Sequence, residues 1–134
     1  MFVSKSREMF HLLTILMFFN LVLGTCCHKV RAWYKVKNNA YGHNSEYFGY
    51  YTMQGGFVNG KPHFLQDDGK GKAIWYVDGV WMVGKKSWLG INYGDFYVYS
   101  KADCPYSPPY TWKYQDQYDN WRDADKGFSI WCKS

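Results

Sequence analysis

Acid–base chemistry has little to work with in this sequence. Of its 134 residues, four are histidine and only two, Glu8 and Glu46, are glutamate. The motifs that assemble a reaction centre locally are also missing. There is no Gly-x-Ser-x-Gly elbow, no His-Glu-x-x-His, no glycine-rich phosphate loop opening a helix, and no cysteine pair at zinc spacing. A small hydrolase survives only as an alternative in which folding gathers distant groups, and no cofactor is expected. Clustered positive charge is equally scarce. Lys85-Lys86 is the only adjacent basic pair, so nothing tracks a phosphate backbone, and nucleic acid is not an expected partner. No proline- or serine-rich linker and no internal repeat interrupts the chain, and from residue 31 onward nothing recurs at a helical period.

A run long enough to span a membrane is absent too. The stretch from Leu12 to Leu23 is apolar apart from Thr14 and Asn20 and follows Lys5 and Arg7, but it is shorter than the roughly 20 residues a span needs. With Val22 and Gly24 at positions suited to signal peptidase, residues 1–24 read as a secretory signal removed after Gly24. Residues 25–134 are then a single extracellular domain. An uncleaved anchor is the alternative, and the only route by which a membrane becomes a partner; a lipoprotein signal at Cys26 is disfavoured by Thr25. Removing Lys5, Arg7 and Glu8 from 16 basic and 11 acidic side chains leaves a net charge of +4.

All four cysteines, Cys26, Cys27, Cys104 and Cys132, lie beyond that cleavage point, as expected for a compartment where disulfides persist. Cys26 and Cys27 could bond to each other only through a strained ring. A bridge from Cys104 to Cys132 is favoured; it would close the C-terminal segment and contribute roughly 3 to 4 kcal/mol on the loop-entropy model. Two long-range bridges from the N-terminal pair to Cys104 and Cys132 are the alternative. A disulfide-linked oligomer through Cys26 or Cys27 is also open.

What the chain does contain is strand vocabulary: short aromatic and β-branched runs between turns rich in glycine, asparagine and aspartate. RAWYKVK (31–37) alternates, with Ala32, Tyr34 and Val36 on one face and Trp33, Lys35 and Lys37 on the other. YFGYYTM (47–53) carries Gly49 as a bulge or close approach. GGFVNGKPHF (55–64) holds an Asn59-Gly60 tight turn, with Pro62 suggesting an edge strand. AIWYVDGVWMVG (73–84) reads as a hairpin around Asp78-Gly79 in which Val77 faces Val80, Tyr76 faces Trp81, Trp75 faces Met82 and Ile74 faces Val83. One face then holds Ile74, Tyr76, Trp81 and Val83, the other Trp75, Val77, Val80 and Met82. Both are apolar, so both must be covered. DFYVYS (95–100) and FSIWC (128–132) are further strands, and the segment between them reads as loop. The expected fold is all-β: a single antiparallel meander of six to eight strands forming a small sandwich or partly closed barrel.

The succession VNGKPHF, IWYVDGVWMVG, Cys104-Pro105, Trp112-x-Tyr114 and a last strand ending in Cys132 resembles a small module that recurs in secreted and multidomain animal proteins. The resemblance covers about Tyr47 to Cys132. It implies a β-rich, disulfide-bonded extracellular building block, without a catalytic activity or site residues to carry over. Cys26-Cys27 falls outside its pattern.

Aromatic residues make up 22% of the chain, with seven tryptophans and thirteen tyrosines, more than so small a domain can bury completely. Some rings are therefore expected at the surface, where they could stack a sugar ring or a partner side chain. The rings nearest loops, Trp88, Tyr93, Tyr110, Trp112 and Trp121, are the candidate ligand platform, with Asp119 and Asn120 as polar partners; the plain alternative for each ring is core packing. Asp116, Asp119, Asn120, Asp123 and Asp125 offer hard oxygen donors of the kind calcium prefers. Their spacing is not that of an EF-hand, and Arg122 and Lys126 sit among them, so a solvated acidic loop is the expectation. His63 reads as an ordinary edge-strand side chain. Together these features point to a secreted, non-enzymatic interaction module for an extracellular glycan or protein. A basic, aromatic host-defence or toxin-like protein acting on membranes is the main alternative.

Overall fold

Asp78 and Gly79 adopt positive φ angles of 47° and 82°, the left-handed pair that a type I′ hairpin turn requires. The turn fixes the register of the flanking strands as the sequence predicts: Val77 opposite Val80, Tyr76 opposite Trp81, Trp75 opposite Met82 and Ile74 opposite Val83. The computed structural model describes residues 26–34, 45–106, 111–116, 118–124 and 127–133. In these, nine strands form: β1 (Lys29–Tyr34), β2 (Gly49–Met53), β3 (Phe64–Gln66), β4 (Lys72–Val77), β5 (Val80–Lys85), β6 (Phe96–Tyr99), β7 (Lys113–Gln115), β8 (Trp121–Asp123) and β9 (Phe128–Cys132). Among the described residues the only helical elements are three single 3-10 turns.

All nine strands belong to one antiparallel sheet in the order β8-β7-β6-β5-β4-β3-β2-β1-β9. Eight follow one another as a meander, and the last returns to pair with the first. The sheet curls. Phe96 on β6 and Phe128 on β9 are far apart in strand order, yet their rings stack at 4.3 Å between centroids, and Tyr47 meets Phe96 edge-on at 5.6 Å. The inner face therefore encloses one core, which includes Val30, Tyr51, Phe64, Ile74, Trp81, Val83, Phe96, Trp112 and Ile130. The architecture is the partly closed barrel of the two expected forms. Tyr51 donates its hydroxyl hydrogen to the Tyr47 carbonyl at 2.7 Å and Tyr47 donates to Asp95 Oδ2, so the buried hydroxyls are satisfied. Burial, joined for Tyr47 by its hydrogen bond to the Asp95 carboxylate, raises both phenols above their ordinary range.

The second apolar face of the hairpin is covered by the chain's own loops. Trp75, Val77, Val80 and Met82 form a second cluster with Val58 from the loop before β3 and with Trp88 and Leu89 from the loop after β5. Hydrogen bonds clamp both loops down. The Asn59 side-chain amide donates to the carbonyls of Tyr76 and Gly90 at 2.9 and 3.0 Å, and Trp75 Nε1 donates to the Ile91 carbonyl at 3.0 Å. The fit leaves no spare volume: a Cβ on Gly84 would lie 2.9 Å from Trp75 Cη2, and one on Gly94 would lie 2.6 Å from Met82 Sδ.

Four expectations need correction. Cys104 does not pair with Cys132. The bridges are Cys26–Cys104 and Cys27–Cys132: β1 lies beside β9 and brings Cys27 to Cys132, while Cys26 meets Cys104, which follows β6, in the core that the curled sheet encloses; sequence separation reveals neither proximity. No cysteine is left for a disulfide-linked oligomer. The segment after Cys104 is not all loop, since it contains β7 and β8, which raises the strand count to nine. Residues 55–63 are not a sheet strand; Asn59-Gly60 makes the expected tight turn, but its flanking pair is the isolated bridge Val58 to Lys61. Pro62 therefore precedes β3, a strand paired on both sides, and marks no edge.

Candidate functional site

The rings proposed from sequence are dispersed through different environments. Trp112 is core, 1% exposed, with its ring edge-on to Phe128 at 5.1 Å; the polar residues around it in sequence hide the fact that it points inward beside Tyr114. Trp88 is half-buried over the second cluster and meets the exposed Tyr93 ring at 4.6 Å, with the Lys85 ammonium 5.0 Å from the Trp88 centroid. Trp121 stands on the edge strand β8, exposed, and contacts Tyr97 at 4.7 Å. Tyr110 lies outside the described residues.

Asp119 and Asn120 belong to a tight turn organised by Asp116. Asp116 Oδ1 accepts the backbone N–H groups of Tyr118 and Asn120 at 2.8 and 2.9 Å, and Oδ2 accepts Arg122 Nε–H at 2.9 Å. These contacts, the Asn120 N–H foremost, hold its carboxyl below the ordinary range. Asp123 is likewise engaged by Lys113 at 2.8 Å. Asp116 and Asp123, two of the carboxylates considered for calcium, thus neutralise neighbouring cations. Among the described residues no group of three or more histidine, cysteine, aspartate or glutamate side chains is placed to hold a metal, and Asp125 is outside them.

A different aromatic surface stands at the other end of the sheet. Along β1, Val30 and Ala32 are buried while Arg31 and Trp33 face outward; along β9, Phe128 and Ile130 are buried while Trp131 is exposed. The register then places Tyr50 and Trp131 directly on either side of Arg31, so that an outward row runs across three strands spaced by about 4.8 Å. Arg31, Trp33, Tyr50, Trp131, Cys132 and Lys133 line a groove of about 260 Å3. The rings remain open to solvent, at 46% for Trp33, 39% for Tyr50 and 56% for Trp131.

Two cations lie among these rings. The Arg31 guanidinium is 4.0 Å from the Trp33 centroid and 5.7 Å from that of Tyr50, and the Lys133 ammonium is 5.1 Å from Tyr50. Lys29, next along the outer face of β1, is ion-paired with Asp67 at 2.7 Å. Arg31 and Lys133 form no ion pair with a described carboxylate. The signal in the sequence was the alternation Arg31-x-Trp33 and Trp131-x-Lys133. Each is unremarkable alone; only the pairing of β1 with β9 brings them together.

The Lys29–Asp67 pair at the border of the groove gives a pH prediction. The Lys29 ammonium, and then the Thr52 hydroxyl at 2.6 Å, hold the Asp67 carboxyl below its usual range. Its folded-state pKa is depressed, so the stability it contributes is present above the ordinary value of 3.8 and is lost as pH falls through the lower folded value. Urea midpoints measured from about pH 5 to about pH 2 should decline less steeply for Asp67→Asn than for the parent protein. Parallel declines would show that this pair is not linked to folding.

No known protein family, curated protein or solved structure matches the chain.

Proposed function

We propose that the protein is a secreted, non-enzymatic module that binds a glycan through the outer face of β9, β1 and β2. The observation that carries this reading is the set of three exposed rings, Trp33, Tyr50 and Trp131, fixed on paired strands around one groove. A sugar ring has apolar C–H faces and a polar rim. An aromatic platform matches the faces, and charged donors beside it match the rim. Because the rings are mounted on hydrogen-bonded strands, little backbone order has to be gained on binding. Two disulfides support an oxidising, extracellular setting, as does the apolar segment at the start of the sequence, read as a cleaved signal. The resemblance to a recurrent extracellular module agrees with this.

Immobilised glycans probed with the oxidised protein test the reading. Trp131→Ala should weaken sugar binding by about tenfold or more while leaving the urea midpoint nearly unchanged, because the ring is largely solvent-exposed. Trp121→Ala, on the opposite edge strand, should leave binding as it was. Loss of binding in Trp121→Ala alone would move the site to the ring proposed from sequence. Leakage from lipid vesicles without saturable sugar binding would favour the membrane-active alternative.

A further inference from the structure

Accepting that the groove binds a glycan, we infer that the sugar is acidic: a sulfated or uronic-acid-containing oligosaccharide whose anionic groups are held by Arg31 and Lys133. This goes beyond the platform itself, since three rings alone would serve a neutral sugar equally well. Charge placement makes the distinction. Lys29, Lys61, Lys72, Lys113 and Arg122 each have a carboxylate partner. Lys70, Lys85, Lys86 and Lys101 have no such ion pair among the described residues, but no two of these are gathered on one described aromatic ring as Arg31 and Lys133 are. Arg31 and Lys133 instead stand 5.7 and 5.1 Å from the centroid of the same ring, Tyr50. The two like charges can be no farther apart than the sum of these two distances, so with a Debye length of about 8 Å salt screens their repulsion only in part. An anion placed between them removes that repulsion and gains two charge-assisted hydrogen bonds.

The chemistry of each cation fits the same ligand. Arg31 is held over Trp33 at 4.0 Å, which restricts its plane while leaving the N–H edges of the fork able to meet two oxygens of a sulfate or carboxylate. Lys133 supplies a mobile point charge near the end of β9. Their distances from the shared Tyr50 centroid keep both charges within the span of a disaccharide carrying anionic groups on neighbouring sugars. Asp67, a carboxylate near this face, is hydrogen-bonded by Lys29 and Thr52, and Lys133 adds only a lesser, longer-range attraction to it. A lipid headgroup carries similar anionic chemistry, but a bilayer is approached by protruding apolar side chains, whereas these rings surround a concavity with cations between them.

The test titrates the oxidised full-length protein with a heparin-derived hexasaccharide, with the uncharged hexasaccharide of N-acetylglucosamine, and with phosphatidylcholine vesicles containing phosphatidylserine. The heparin fragment should bind more tightly than the uncharged sugar, and raising salt from about 50 to about 500 mM should weaken it by about tenfold or more. Arg31→Gln and Lys133→Gln should each cost about tenfold with this probe and weaken the uncharged sugar, which uses them only as donors to its polar rim, by a clearly smaller factor. Lys133→Gln alters an exposed residue after the last strand, so it remains informative even if Arg31→Gln fails to fold. Equal affinity for both sugars, still sensitive to Trp131→Ala, would overturn charge selection and leave the glycan module standing. Failure of every sugar to bind at low salt would remove both. Vesicle binding that Arg31→Gln and Lys133→Gln abolish, with no heparin binding, would assign the cations to a membrane surface and overturn the inference.

Discussion

Reducing both disulfides is expected to lower the unfolding free energy by about 8 kcal/mol on the chain-entropy model. Cys26–Cys104 joins residues 78 apart in sequence and Cys27–Cys132 joins residues 105 apart, and either alone would contribute about 4.5 kcal/mol. The contributions do not simply add. Once Cys26 and Cys104 are joined, the path from Cys27 to Cys132 runs through that bridge and closes a ring of only about 30 residues, worth about 3.6 kcal/mol. Since domains of this size are typically stable by about 5–15 kcal/mol, the reduced chain should sit near its unfolding threshold. Urea unfolding followed by tryptophan fluorescence measures this. The paired variants C27S/C132S and C26S/C104S should each lose about 3.6 kcal/mol, and full reduction should remove the remainder. A reduced protein with an unchanged midpoint would mean that the bridges leave the unfolded ensemble unconstrained.

Replacing Trp75 by alanine should cost about 3–5 kcal/mol, the upper range for a single core substitution. The indole is fully buried, lies against Gly84, and donates to the Ile91 carbonyl at 3.0 Å. Its loss leaves a cavity between sheet and loop and takes the donor from that carbonyl. The effect should have a location as well as a size. Trp75 holds the loop after β5 onto the outer face, so Trp75→Ala should admit trypsin at Lys85 and Lys86 under native conditions. Trp81→Ala empties the inner core instead; it should be destabilising to a similar degree without selective cleavage there. A Trp75→Ala midpoint within experimental error of the parent, with the loop still protected, would show that the outer cluster does not contribute to the fold.

The hairpin containing Trp75 was the most legible part of the sequence. A two-residue turn with a defined backbone conformation dictates the register of its strands, and two apolar faces dictate two coverings, all within twelve consecutive residues. The strands at Phe96–Tyr99 and Phe128–Cys132 were legible from composition alone. By contrast β7 and β8 have three residues each, with one aromatic apiece among lysine, glutamine, arginine and aspartate, too short a run to give a β signal; β7 is a strand because β6 offers it an edge, and β8 because β7 does. The disulfides and the groove were illegible for a shared reason. Cys27–Cys132 and the groove depend on β1 meeting β9, and Cys26–Cys104 on the sheet curling until β1 lies near the segment after β6, contacts between distant parts of the sequence that no local pattern encodes. Choosing rings by their closeness to loops favoured Trp112, which is core, and passed over Trp33 and Trp131, whose exposure follows from strand alternation.

That same meeting of β1 and β9 decides how the fold can be joined to anything else. The Cα atoms of Cys27 and Cys132 are 5.6 Å apart, and the Lys133 N–H donates to the Lys29 carbonyl at 3.0 Å, so the polypeptide arrives and departs through one doorway about one strand spacing wide. A unit with that geometry can be spliced into a surface turn of a larger host without forcing the turn apart, and the host's own ends need not move to accommodate it. The covalent clasp beside the doorway adds a mechanical property. Tension applied through the two flanking segments is borne by the Cys27–Cys132 bond before it reaches the hydrogen bonds of the sheet, so a pull along the chain would leave the nine strands undisturbed.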